Sequence, residues 1–321
     1  MDECITAYTE LSKKVFKIDQ VLANKIPLGD DCCRFDSEDL ENVVKDIVQE
    51  KLGSPNCLLS EIPQRPYPVV CTFVVAKKAL HADGPPTVFR SYSGDGIRPS
   101  KCAIWKAARA TSAAPSYFKE MFVETPAPGI NYVDGGLGHN NPSQVALDEA
   151  RRIWPTMKHF GVLSIGTGRQ KGVEILRTKS VEEIETQRSL FEKIRHVLPS
   201  IESIVPQWRT IKNFPAGVLA VIKMAHALTS LVTDSENVHQ QLQSLSHGRR
   251  VETQFPYFRF NVDRDVGDIG LSDADPQSQE RLAAHTHSYL LDYEIETKRT
   301  QCVDFLVNPP PAECSFLLYS I

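Results

Sequence analysis

No C-x-x-C pair occurs in the 321 residues, and no apolar run approaches the ~20 residues of a membrane span. Positive charge is not in excess either: 36 basic against 40 acidic side chains leave a net charge of -4. The chain thus lacks the field that nucleic acid or an anionic membrane demands, and nucleic acid is not an expected partner. The longest apolar stretch, Ala216 to Ile222, stops at Lys223. The opening residues Met1-Asp2-Glu3-Cys4 show no basic-then-apolar leader. Eight cysteines are scattered along the chain, most within apolar segments. They read as reduced, buried thiols of a cytoplasmic protein rather than a disulfide or zinc framework.

What is present describes a globular chain. Hydrophobic residues at 41% and charged residues at 24% are enough for a sizeable core, in one large domain or one domain with a helical appendage. Ile5, Tyr8, Leu11 and Val15 fall on one face of a helix over 2–16, with Asp2 as its cap. Asp36-Ser37-Glu38-Asp39 opens a second helix, carrying Leu40, Val43, Val44, Ile47 and Val48. Strands are predicted at Val69 to Ala76, Thr87 to Tyr92, Ile130 to Val133 and Phe160 to Ile165. Helices are predicted from Ile104 to Ala114, rich in small residues, and from Pro142 to Trp154, where Asn141 can cap and Gln144 fits a capping box. The order strand, helix, strand points to an α/β fold with parallel pairing. Beyond residue 180 the pattern turns helical (Phe191 to Val205, Ala216 to Leu245, Pro276 to Leu291), with one strand at Tyr257 to Val262. Pro309-Pro310-Pro311 introduces a short tail that reads as a linker or frayed end.

Tyr132-Val133-Asp134-Gly135-Gly136 carries the chemistry. It sets a carboxylate at the end of an apolar strand, and two glycines then permit a tight turn and a close backbone approach. Taken alone the pattern is also that of an ordinary turn in which the aspartate bonds local amides, as expected for Asp83-Gly84 and Asp95-Gly96.

Three stretches read together resemble the second half of the patatin-like phospholipase domain. They are Ile104-Trp105-Lys106-Ala107-Ala108-Arg109-Ala110-Thr111-Ser112-Ala113-Ala114-Pro115-Ser116-Tyr117-Phe118, then Tyr132 to Gly136 with Asn140-Asn141-Pro142, and then Leu163-Ser164-Ile165-Gly166-Thr167-Gly168. The opening helix, Asp2 to Tyr8, is similar to that of fungal members. The resemblance implies a mostly parallel sheet flanked by helices, without its N-terminal strands. It also implies a division into a patatin-like portion over 1–175, a mainly helical extension packed on it over 176–308, and a tail over 309–321.

As activity it implies hydrolysis of acyl esters by a serine–aspartate dyad without a metal or cofactor. Asp134 would be the catalytic base, Gly135 and Gly136 its turn, and His139, Asn140 and Asn141 neighbours at the site. A carboxylate of ordinary pKa, ~3.9, is a weak base for an alcohol, so a dry site must raise its proton affinity. The implied substrate is a phospholipid or another acyl lipid, met in transient contact with a membrane surface.

Two parts of that machinery are absent from the sequence. No serine has glycine at both -2 and +2, and no glycine triplet exists to supply oxyanion N–H groups. Ser93 and Ser164 come nearest and read as structural. The nucleophile is therefore expected upstream of Met1 in a longer, active product. The alternatives are an inactive remnant that binds lipid or protein, its sheet edges completed by another chain, and an unrelated α/β enzyme. Gly166 to Gly172 lacks phosphate-loop spacing and reads as a strand-end turn. The cluster Val218, Leu219, Val221 and Ile222 reads as core.

Overall fold

The computed structural model describes residues 2–17, 33, 35–62, 70–81, 84–115, 117–124, 127–157, 159–168, 235–247, 255–263, 266, 269–270, 273, 275–308 and 314–320. All of these belong to one unit, Met1–Lys171 with Ala227–Ile321. The helix expected at Phe191 to Val205, the cluster around Val218 and the Asp83 turn residue lie outside the described residues.

Helix α1 (Asp2–Val15) and helix α2 (Ser37–Leu52) pack on each other. Helix α2 starts where expected because the Asp36 side chain accepts the Glu38 N–H at 2.8 Å, and it stops at Gly53, whose φ of 79° only glycine adopts readily. Val15, Phe35, Leu40, Val43 and Phe118 form one small core beneath the pair. The amphipathic reading of α1 holds only for its second half. Ile5 and Tyr8 are 61% and 59% exposed.

Strands β1 (Phe73–Lys78), β2 (Thr87–Arg90), β3 (Met121–Val123) and β4 (Ile130–Asp134) make a four-stranded sheet in the order β2-β1-β4-β3. Every pair in it is antiparallel. Helix α3 (Ile104–Thr111) lies against this sheet and α2. Its buried Trp105, Ala107 and Ala110 join Phe89, Val123 and Tyr132 in the principal core. β1 begins later than Val69, and Val70 is exposed.

After β4 come a one-turn segment α4 (Gly136–His139), helix α5 (Ser143–Ile153) and strand β5 (His159–Ile165). β5 sits at the middle of a second sheet, β6-β5-β7, between β6 (Tyr257–Phe260) and β7 (Cys314–Ser320), both parallel to it. Leu147 and Ala150 of α5, Phe160 and Val162 of β5, Leu242 and Phe255 form its core. Leu242 belongs to helix α6, residues 235–246. Helices α7 (Pro276–Leu290) and α8 (Tyr293–Val307) complete the described elements.

The architecture is mixed α/β, and among the described residues the strands form one antiparallel and one parallel sheet instead of the expected mostly parallel one. The expected strand-helix-strand unit has its two strands in different sheets. The reason is occupancy: the two ladder edges of β4 are taken by β1 and β3, and those of β5 by β6 and β7. Nor is the C-terminal stretch a frayed tail throughout, because 314–320 pair along the full length of β5. Among the described residues, no helix is long and apolar enough to cross a membrane.

Candidate functional site

Asp134 ends β4, and its backbone is held from both sides. Ala76 of β1 is its ladder partner. On the other flank, beyond the reach of β3, its N–H donates to the Ala113 carbonyl at 3.0 Å. The loop after α3 therefore closes the strand end. Thr111 Oγ1 donates to the Val75 carbonyl at 2.6 Å and pins α3 to β1 at the same level. Two of the stretches that carried the resemblance thus meet at the backbone of one aspartate.

The glycines serve different purposes. A Cβ on Gly135 would overlap the Val75 carbonyl oxygen, so β1 and the turn approach as closely as only glycine allows. The Gly136 N–H donates to Asp134 Oδ1 at 2.6 Å. Gly138 turns the chain at φ 92°, and the His139 N–H closes the turn on the Gly135 carbonyl at 3.1 Å. Lys77, buried in β1, donates to the Gly84 carbonyl, and its Nζ lies 3.9 Å from where a Gly138 Cβ would stand.

The bond to Gly136 is the local contact that any aspartate–glycine corner can make. Asp134 is half-buried, whereas Asp95 lies exposed in the Gly94–Ile97 turn. Removal from water pushes the Asp134 carboxyl from 3.8 up to about 6, against the opposing pull of the Gly136 N–H. A carboxyl in that range can accept a proton near neutral pH.

His139 and Asn140 are half-buried at the turn, whereas Asn141 is 1% exposed. Pro142 stands at the cap position of α5, and Asn141 before it still meets an N–H of the first turn. Its Oδ1 accepts from the Ser143 N–H at 3.3 Å and from Ser143 Oγ at 2.6 Å, and its Nδ2 donates to the Ser235 carbonyl at 3.0 Å. Gln144 turns away to Asp148. Ser143 Oγ also lies 2.9 Å from Ser164 Oγ, which accepts from Arg259 Nη1 at 2.7 Å. Arg259 Nη2 approaches Ser235 Oγ at 3.4 Å.

Ser143, Ser235 and Arg259 were not singled out in the sequence. The available signal was one arginine inside the apolar strand Tyr257–Phe260, a charge that must find partners when buried. Ser93 is exposed beside the Gly94–Ile97 turn, and Ser164 is fully buried. The N–H groups of Gly166 and Gly168 bond to the Phe260 carbonyl and Asn261 Oδ1, as a strand-end turn requires. Among the described residues, no group of three metal-binding side chains assembles.

Comparison with known proteins gives this geometry a context. The human calcium-independent phospholipase A2-gamma is 31% identical over 209 residues, which is 62% of this chain and 24% of that protein. The patatin-like phospholipase 1 of Plasmodium falciparum is 26% identical over 286 residues, covering 82% of this chain and 35% of that protein. Phospholipase A I of Arabidopsis thaliana is 33% identical over 113 residues, 33% of this chain and 8% of the plant protein. The chain thus spans about a quarter of the length of the human relative. The patatin-like phospholipase family itself matches residues 34–147, the stretch from the start of α2 through the four-stranded sheet and Asp134 into α5.

Proposed function

We propose that this chain is the later portion of a patatin-like lipid acyl hydrolase of the fungal type, with Asp134 as the general base of a serine–aspartate dyad. The observation that carries the reading is a half-buried carboxyl at a sheet end, raised to about 6 chiefly by its removal from water, within the stretch that the family matches. In the reaction Asp134 accepts the proton of a serine hydroxyl as that oxygen attacks the ester carbonyl, and returns it to the leaving alcohol. The base needs no metal for this. Gly135 and Gly136 keep the turn tight enough for a substrate ester to come near, and His139 and Asn140 lie beside it.

The serine and the oxyanion donors are assigned to a segment outside this sequence, because no serine here has the flanking glycines and no glycine triplet occurs. The substrate is a phospholipid or related acyl lipid, reached at a membrane surface, and the protein works in the cytoplasm, where the free thiols of Cys57, Cys71, Cys102 and Cys302 persist.

Two measurements test this. The endogenous protein, weighed intact, is expected to exceed 35.9 kDa and to hydrolyse phospholipid vesicles. In that product Asp134→Asn lowers kcat by at least ~100-fold with little change in KM. The 321-residue chain alone is expected to turn over neither a nitrophenyl acyl ester nor phospholipid. Serine-dependent turnover by that chain, or full activity of the asparagine variant, would refute the assignment.

A further inference from the structure

The hydrogen bonds around Asn141 form a closed circuit. Asn141 bonds Ser143, Ser143 bonds Ser164, Ser164 accepts from Arg259, Arg259 reaches Ser235, and the Ser235 carbonyl accepts from Asn141. Each member comes from a different segment: the loop after α4, the first turn of α5, β5, β6 and the start of α6. Asn141, Ser143 and Ser164 are sealed from solvent, and Arg259 is 7% exposed. Burial lowers the proton affinity of the Arg259 guanidinium. A cation placed in so dry a position costs stability unless it is compensated, and here the Ser164 and Ser235 hydroxyls meet its donors while the Glu236 carboxylate favours its charge. Such an arrangement is expensive for packing alone.

Its location suggests what it does. Asn141 lies seven residues after Asp134. The stretch between them has little slack: Gly135 is wedged against Val75, Gly136 is bonded to Asp134 Oδ1, and His139 is bonded back to Gly135. Three members, Ser164, Ser235 and Arg259, lie beyond residue 147, where the family match ends.

We propose that Asn141, Ser143, Ser164 and Arg259 are positioning residues, a buried ring through which β5, β6 and α6 hold the 135–142 loop and so keep the Asp134 carboxyl out of water. The inference rests on the reading of Asp134 as the base. The region after residue 227 is then part of the support for the site rather than an appendage to it.

The test uses the 321-residue chain and needs no ester turnover. Aspartate carboxyl carbons are labelled with 13C, the Asp134 signal is assigned by its loss in Asp134→Asn, and its titration midpoint is followed by NMR. Ser164→Ala is expected to lower that midpoint by about one pH unit, towards the ordinary carboxylate value, as the loop slackens and water enters. Ser164→Thr, which keeps the hydroxyl, is expected to restore it. Ser164→Ala combined with Arg259→Met removes donor and acceptor together, so the thermal midpoint recovers while the Asp134 midpoint stays low.

Burial and the Gly136 N–H set the Asp134 value, with no contribution from the Arg259 charge, so the double variant reports the slackened loop and not a lost cation. If Ser164→Ala does not fold, the double variant carries the same reading. An unchanged or raised Asp134 midpoint in the folded variants overturns the ring as a positioning device and leaves the hydrolase reading untouched. Failure of the hydrolysis test, conversely, leaves this result standing.

Discussion

A carboxyl shielded from water at the end of a strand works against folding whenever it is charged, and half-buried Asp134 is such a group. Its folded-state value of about 6 lies above the ordinary 3.8. Its contribution is therefore most favourable below pH 4, where the group is protonated in both states, and is lost as pH rises through 6. Asp134→Asn removes the charge and keeps an oxygen for the Gly136 N–H. We expect the variant and wild type to unfold at similar urea concentrations near pH 4, and the variant to gain roughly 2–3 kcal/mol relative to wild type by pH 7. A gap that does not change with pH would show that the carboxyl is already solvated. The residue was legible in the sequence because an apolar strand ended on Asp-Gly-Gly. Its raised proton affinity was not legible as a value, since it comes from what covers the side chain. Arg259 escaped notice for the same reason: one charge in a short strand says nothing about which hydroxyls will surround it.

Secondary-structure elements were readable to the extent that their signals are local. The Asp36 cap and Gly53 stop of α2, and the Asp275 cap of α7, which accepts from the Gln277 and Ser278 N–H groups, stand where their side chains place them. Strand β3 was missed because three residues carry no period. Helix α8 was missed because its apolar residues form no stripe: Cys302 is its one buried residue, while Tyr293, Val303 and Val307 are exposed. Contacts between elements were invisible altogether. Glu149 of α5 makes a paired bond with Arg90 of β2, at 2.7 Å to Nη2 and also to Nε, and accepts from the Tyr92 hydroxyl at 2.9 Å. Burial alone would raise the Glu149 carboxyl, yet Arg90 and Tyr92 hold it below its ordinary value. Glu149→Ala strands a half-buried guanidinium and a buried phenol, and the expected loss is about 3 kcal/mol, read from the urea midpoint. A change under about 0.5 kcal/mol would mean that water replaces the carboxylate.

At the scale of the whole molecule, the chain doubles back: residues after 227 belong with those before 171. β7 gives β5 a partner along Cys314–Ser320, and without it the edge of an apolar strand would be bare. Removing residues 314–321 is expected to lower the thermal midpoint and to shift the protein towards soluble aggregates on size exclusion with light scattering. A truncated chain that stays monomeric at unchanged stability would show that the strand contributes nothing to folding.

The sequence by itself determined the local conformations: which segments extend, which coil, where caps and glycines stop them, and that one aspartate stands at a strand end. Side-chain periods and capping bonds act over a few residues, so they can be read in order along the chain. Tertiary structure alone decided that β4 and β5 enter different sheets, that a C-terminal strand completes the second, and that residues 141–143, Ser164, Ser235 and Arg259 close a ring. Those choices rest on edges and buried polar groups finding partners far away in sequence, a competition settled by the free energy of the whole fold and not by any single segment.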